Sequence, residues 1–98
     1  MNAKRVANIM GKLLQHELRW LAGFSYDDIR KFPLYLDRQR GPFLVAFWHE
    51  KISNGRHKLV VQVCKRGCLG MSVVIAGGFL CTHEGFRELK ECELWDYC

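Results

Sequence analysis

The dipeptide Asn54-Gly55 constrains this 98-residue chain more than any other local feature. Asn and Gly tolerate positive φ at both centres of a two-residue hairpin turn, where other residues are strained. The flanking stretches, 43–51 and 56–65, are rich in apolar and β-branched residues, and a third such run covers 69–76. Together they predict three strands of an antiparallel meander. A two-residue turn sets the register by pairing Ser53 with Arg56. Trp48 is then expected opposite Val61, Ala46 opposite Val63 and Ile52 opposite His57. The other face pairs His49 with Val60, Phe47 with Gln62 and Val45 with Cys64. Lys51 falls against Lys58, an unfavourable like-charge pair at the hairpin tip. Both faces carry apolar residues, so each needs cover or one is a docking surface.

Before the strands, residues 3–24 have helical spacing. Val6, Ile9, Met10, Leu13, Leu14, Trp20, Leu21 and Phe24 share one face, and Arg5, Lys12, His16 and Arg19 line a flank. Glu17 projects into the middle of the apolar face, where a carboxylate needs a partner or a shifted pKa; it reads as a structural ion pair or a helix-edge residue rather than a catalytic acid. Ser25 and Asp28 have capping-box spacing for a short second helix, which Pro33 ends. The span 34–40, with Arg38 and Arg40, reads as an irregular or weakly extended link. Gly77-Gly78 suggests either a second tight turn leading into a short strand over 79–82 or a bulge that bends the third strand. Beyond Thr82, Phe86, Leu89 and Cys92 suggest a helix, although the alternation over 91–97 also suits an edge strand. The expected fold is a single α+β domain over residues 1–98. It has an N-terminal amphipathic helix, a three- to four-stranded antiparallel meander and a C-terminal helix, in α-β-β-β-α order.

Charge is unevenly spread over this plan. Residues 1–82 hold 13 Lys/Arg against 5 Asp/Glu, and residues 83–98 hold 2 against 5. A basic body with an acidic end suits a polyanion, or a protein that handles one. Basic candidates for nucleic-acid contact are Arg5, Lys12, Arg19, Arg38, Arg40, Lys51, Arg56 and Lys58. For protein contact the candidates are Glu88, Glu91, Glu93 and Asp96, with Trp95 and Tyr97 as aromatic anchors. No apolar run reaches the roughly 18 residues of a membrane span, and charges break any export signal. The expected location is therefore cytoplasmic, with Cys64, Cys68, Cys81, Cys92 and Cys98 reduced.

Chemistry-bearing patterns are few. Cys64, Cys68, Cys81 and His83 could supply four zinc ligands, but a two-residue turn at Arg66-Gly67 sends Cys64 and Cys68 to opposite faces. His49-Glu50 and His83-Glu84 are adjacent pairs, which diverge on a strand. No metal, cofactor or catalytic group is expected. A nine-residue phrase, Gly41-Pro-Phe-Leu-Val-Ala-Phe-Trp-His49, resembles a segment of lysophospholipid acyltransferase-like proteins but is too short to carry an assignment.

In element order the chain resembles double-stranded-RNA-binding domains. That resemblance implies RNA contacts on the first helix, the first hairpin loop and the start of the last helix. The basic stripe and hairpin agree, whereas His83-Glu84-Gly85 departs from the lysine cluster of that family. Size, charge and lack of chemistry are similar to those of small phage-encoded proteins that block host nucleases or defence complexes. The preferred expectation is a non-enzymatic regulator or inhibitor that binds a nucleic-acid-processing protein or complex, with direct nucleic-acid binding as the alternative.

Overall fold

The computed structural model describes residues 3–66 and 72–97. Helix α1 spans Ala3–Ala22 and helix α2 spans Tyr26–Arg30. Five strands follow: β1 (Tyr35–Arg40), β2 (Phe43–Ile52), β3 (Arg56–Arg66), β4 (Ser72–Thr82) and β5 (Gly85–Glu88). A single turn, α3 (Glu91–Leu94), closes the order. Every strand pairs antiparallel with its chain neighbour, so the sheet order is β1-β2-β3-β4-β5. The α+β class and the helix–meander–helix order agree with the sequence reading, with five strands in place of three or four.

Helix α1 lies across β3 and β4. Its buried residues, Met10, Leu14, Leu18 and Leu21, join Ile29, Phe32, Val45, Phe47, Leu59, Val61 and Val63 in one core. Each such side chain withdrawn from water contributes about 1.5–3 kcal/mol. The α2 capping box forms as read. The Asp28 amide donates to Ser25 Oγ at 3.1 Å, and the Ser25 amide donates to Asp28 Oδ2 at 3.0 Å. The Ser25 amide first, and then the Ser25 side chain, hold the Asp28 carboxyl below its usual range.

Four local expectations are corrected. First, the span read as an irregular or weakly extended link is a regular strand, β1, paired with β2 from Tyr35↔Trp48 to Arg40↔Phe43. Its helix-facing positions are Leu36, Arg38 and Arg40, and the two guanidiniums reach buried Glu17 from β1. Arg40 Nη2 lies 3.5 Å from one carboxylate oxygen and Arg38 Nη1 4.0 Å from the other. The expected ion partner of Glu17 thus comes from a strand whose inward charges hid its periodicity.

Second, the hairpin loop holds three residues, with Ile52 opposite Arg56. Asn54 and Gly55 take φ of 66° and 71°, as their types allow, but Ser53 belongs to the loop. The register therefore slips by one. Trp48 faces Val60, Ala46 faces Gln62, Glu50 faces Lys58 and Lys51 faces His57. The slip sets Phe47 against Val61 and Val45 against Val63 beneath the helix, and removes the Lys51–Lys58 opposition by placing Lys51 across from His57.

Third, Gly77-Gly78 is neither turn nor bulge but the middle of the continuous strand β4. A Cβ at Gly77 would lie 3.0 Å from a Leu18 methyl, and one at Gly78 would fall on the Leu59 carbonyl. These glycines give the close backbone approach that packing demands. Fourth, the tail is not one helix. Gly85–Glu88 pairs with β4 as an edge strand, and only Glu91–Leu94 is helical. Residues 69–71 of the third expected strand lie outside the described residues. Cys64 and Cys81 carry free thiols as expected, whereas Cys92 is disulfide-bonded.

Candidate functional site

A sheet alternates its side chains, so the face away from α1 is built from a second set of residues. Register places Tyr35, Trp48 and Val60 in one row, Asp37, Ala46 and Gln62 in the next, and Gln39, Leu44, Cys64 and Val74 in a third. Among the described residues, no helix covers these three rows. Trp48 is 48% exposed and Tyr35 44%, with Leu34, Leu44 and Val74 also exposed. The two rings meet with centroids 4.5 Å apart at 60°. Trp48 donates from its indole nitrogen to Gln62 Oε1 at 3.1 Å, and Tyr35 donates to Asp37 Oδ2 at 3.1 Å. Both large side chains are thereby held in place while open to solvent.

The C-terminal segment crosses onto the lower part of this face. Leu89 is buried against Gly78, and its amide donates to the Gly78 carbonyl at 2.9 Å. From there α3 brings Asp96 to Lys58, whose ammonium donates to Asp96 Oδ1. Between the exposed rows and α3 runs a cleft of about 280 Å³, floored by Val60 and Gln62 and walled by Leu34 and Trp48 against Leu94 and Asp96. Glu50 and Lys58 close one end.

The residues predicted for protein contact divide accordingly. Trp95, Tyr97, Glu88 and Glu91 are exposed. Glu93 is held inside the tail by both Arg87 guanidinium nitrogens at 2.9 Å and by the Lys90 amide at 2.9 Å. The Arg87 bonds, and secondarily the Lys90 amide, pull its carboxyl down to about 2. Asp96 serves Lys58 but stays largely in solvent.

The basic candidates do not assemble into one surface. Arg5, Lys12 and Arg19 are exposed on α1, with Lys12 and Arg19 lying beside Asn8 and Gln15. Arg38 and Arg40 serve Glu17, and Arg38 also stacks over Trp20 at 4.4 Å. Lys51 points to the helix side of the sheet, while Arg56 and Lys58 point to the open side. Arg56 donates to the Ser53 carbonyl at 3.1 Å, and Lys58 is buried.

Histidine chemistry on the helix side was invisible in the sequence. His49 and His57, both buried, hydrogen-bond through His49 Nε2 and His57 Nδ1 at 2.9 Å. His49 Nδ1 lies 2.9 Å from the Phe32 carbonyl. A carbonyl only accepts, so the network assigns the proton to His49 Nδ1. His49 Nε2 and His57 Nδ1 then share a single hydrogen bond between the two rings. Burial first, and then the neighbouring His49, Lys51, Arg30 and His83, push the His57 pKa down. The Tyr26 ring sits 4.2 Å from that of His83, and its hydroxyl donates to the Gly55 carbonyl at 2.7 Å. This arrangement ties α2 and the residues after it to the β2–β3 hairpin. The two-residue turn expected from sequence put His49 and His57 on opposite faces; the true register unites them.

Among the described residues, no group of three or more His, Cys, Asp or Glu side chains is arranged to hold a metal ion. Cys64 is on the open face, Cys81 on the helix face, His83 beside Tyr26, and Cys68 outside the described residues. No described helix is long and apolar enough to cross a membrane. No protein-family model, curated protein or solved structure matches this chain.

Proposed function

We infer that this chain is a non-enzymatic protein-binding module, a regulator or inhibitor that docks on a nucleic-acid-handling protein or complex through the open face of its sheet. The observation that carries the reading is the exposed Tyr35–Trp48 pair, flanked by Leu34, Leu44 and Val74 on the part of the sheet face that no described helix covers. Large aromatic side chains fixed in place lose little conformational entropy on docking and supply most of the affinity in such contacts. Trp95 and Tyr97 extend the same chemistry onto the tail. The net charge of +5 suits a protein that works close to a polyanion without reading it.

Affinity capture of the tagged chain from its own cell extract, with and without nuclease, tests this reading. The expected result is a stoichiometric protein that survives nuclease, is retained by Lys12→Glu, and is lost with Trp48→Ala or weakened with Trp95→Ala. Truncation before Glu91 is a poor test, since it strips Asp96 from buried Lys58 and Glu93 from Arg87. Direct nucleic-acid binding is the second reading, favoured by exposed Lys12 and Arg19 on α1. It requires salt-sensitive binding that falls with Lys12→Glu and Arg19→Glu. Nuclease-sensitive capture indifferent to Trp48→Ala would replace the first reading with the second.

A further inference from the structure

The cleft beside Trp48 has a charge opposite to that of the chain. Its polar end holds two carboxylates, Glu50 and Asp96, and one ammonium, Lys58. Lys58 bonds Asp96, and no ion pair among the described residues engages Glu50. One net negative charge therefore remains there, while the whole sequence carries +5. Phosphate brought to this end would meet unpaired Glu50 at short range, where repulsion is strongest.

The rest of the cleft is aromatic and aliphatic. Trp48 and Glu50 are two residues apart on one strand, so their side chains emerge on the same face about 7 Å apart. An indole with a carboxylate at that spacing suits a guanidinium. The planar cation stacks on the ring and turns its N–H fork toward the carboxylate. Its methylene stem then lies over Val60 and against Leu94. The Gln62 hydrogen bond fixes the indole before anything binds.

From this the geometry points to an arginine-reading site, in which an arginine of a protein partner's extended segment stacks on Trp48 and pairs with Glu50 in the cleft between β2, β3 and α3. The assignment rests on the docking-face reading above and names what that face recognises. A basic segment is also what a nucleic-acid-handling partner presents on its own binding surfaces.

The test is a titration of the ¹⁵N-labelled full chain with the capped peptide Ala-Arg-Ala-Arg-Ala, followed at the Trp48 indole and at the Val60 and Gln62 amides. Saturable shifts at these positions are expected. Glu50→Gln should weaken binding about fivefold, the scale of one exposed ion pair. Trp48→Ala, read at the amides, should weaken it about tenfold, the scale of one cation–π contact. Asp27→Asn, an exposed carboxylate on α2 away from the cleft, should change nothing. The site is overturned by absence of a saturable shift, or by equal binding of Ala-Glu-Ala-Glu-Ala or a short duplex RNA at the same signals. It is also overturned if Asp27→Asn weakens binding as much as Glu50→Gln. Partner capture separates the two levels. Loss with Trp48→Ala but full retention with Glu50→Gln keeps the docking face and removes arginine recognition. Retention with both variants removes the face as well.

Discussion

His57 shows how a single buried side chain sets a pH limit on this fold. Burial and nearby positive groups lower its pKa below the ordinary 6.5, so the unfolded chain takes up the proton first as pH falls. Stability from this residue is complete above pH 6.5. It declines as pH falls from 6.5 toward the lower folded value, with the unfolded state binding more protons throughout that window. Urea unfolding between pH 7.5 and 5 should show this decline, and His57→Gln should flatten it, since the amide can still donate to His49. An unchanged slope in that variant would assign the acid sensitivity to other groups. The pair escaped notice in the sequence because its geometry depends on whether Ser53 belongs to the loop. Glu17 was easier to read. A carboxylate in the middle of an apolar helix face demands a cation, although nothing local identified Arg38 and Arg40 as its source.

At the scale of elements, β4 depends on two adjacent glycines that serve opposite faces. Gly77 admits Leu18 and Leu14 of α1, while Gly78 lies under the Leu59 carbonyl and Leu89. The obstacle at Gly77 is the end of a flexible side chain, and at Gly78 it is backbone. Gly77→Ala should therefore cost about 1 kcal/mol and Gly78→Ala about 3 kcal/mol, the two ends of the range for over-packing. Urea denaturation of the two variants measures this, and equal costs would show that the backbone yields. Elements set by neighbouring residues were legible: α1 from its periodicity, α2 from Ser25 and Asp28, β2 and β3 from their apolar runs. Elements set by distant partners were not. Strand β1 turns charges inward because α1 supplies Glu17, and β5 exists because Phe86 meets Phe79 across an edge that helical spacing concealed. The candidate site was half legible. Apolar residues on both sheet faces announced that one needed cover or a partner, but only the corrected register gathered Tyr35, Trp48 and Val60 into one row. The acidic tail looked free in sequence; Arg87 and Lys58 engage two of its carboxylates.

Over the whole molecule, strand order equals chain order, and this has a kinetic consequence. Each strand pairing closes a short loop, so the meander can zip from hairpin to hairpin with little entropy lost per step. Helix α1 is different, because its contacts on β3 and β4 join residues near the start of the chain to residues far along it. Until that sheet exists, Leu14, Leu18 and Leu21 have nothing to pack on. Docking of the helix then follows the rate-limiting step, and its contacts govern how long the native state lasts more than how quickly it forms. Leu18→Ala should accelerate unfolding while leaving the refolding limb nearly unmoved; Val61→Ala, inside the β2–β3 hairpin, should slow refolding. Stopped-flow chevrons of the two variants decide the order, and equal slowing of refolding would put the helix in the nucleus. In a chain built this way α1 is synthesised before β3 and β4, so its apolar stripe stays uncovered until those strands follow it.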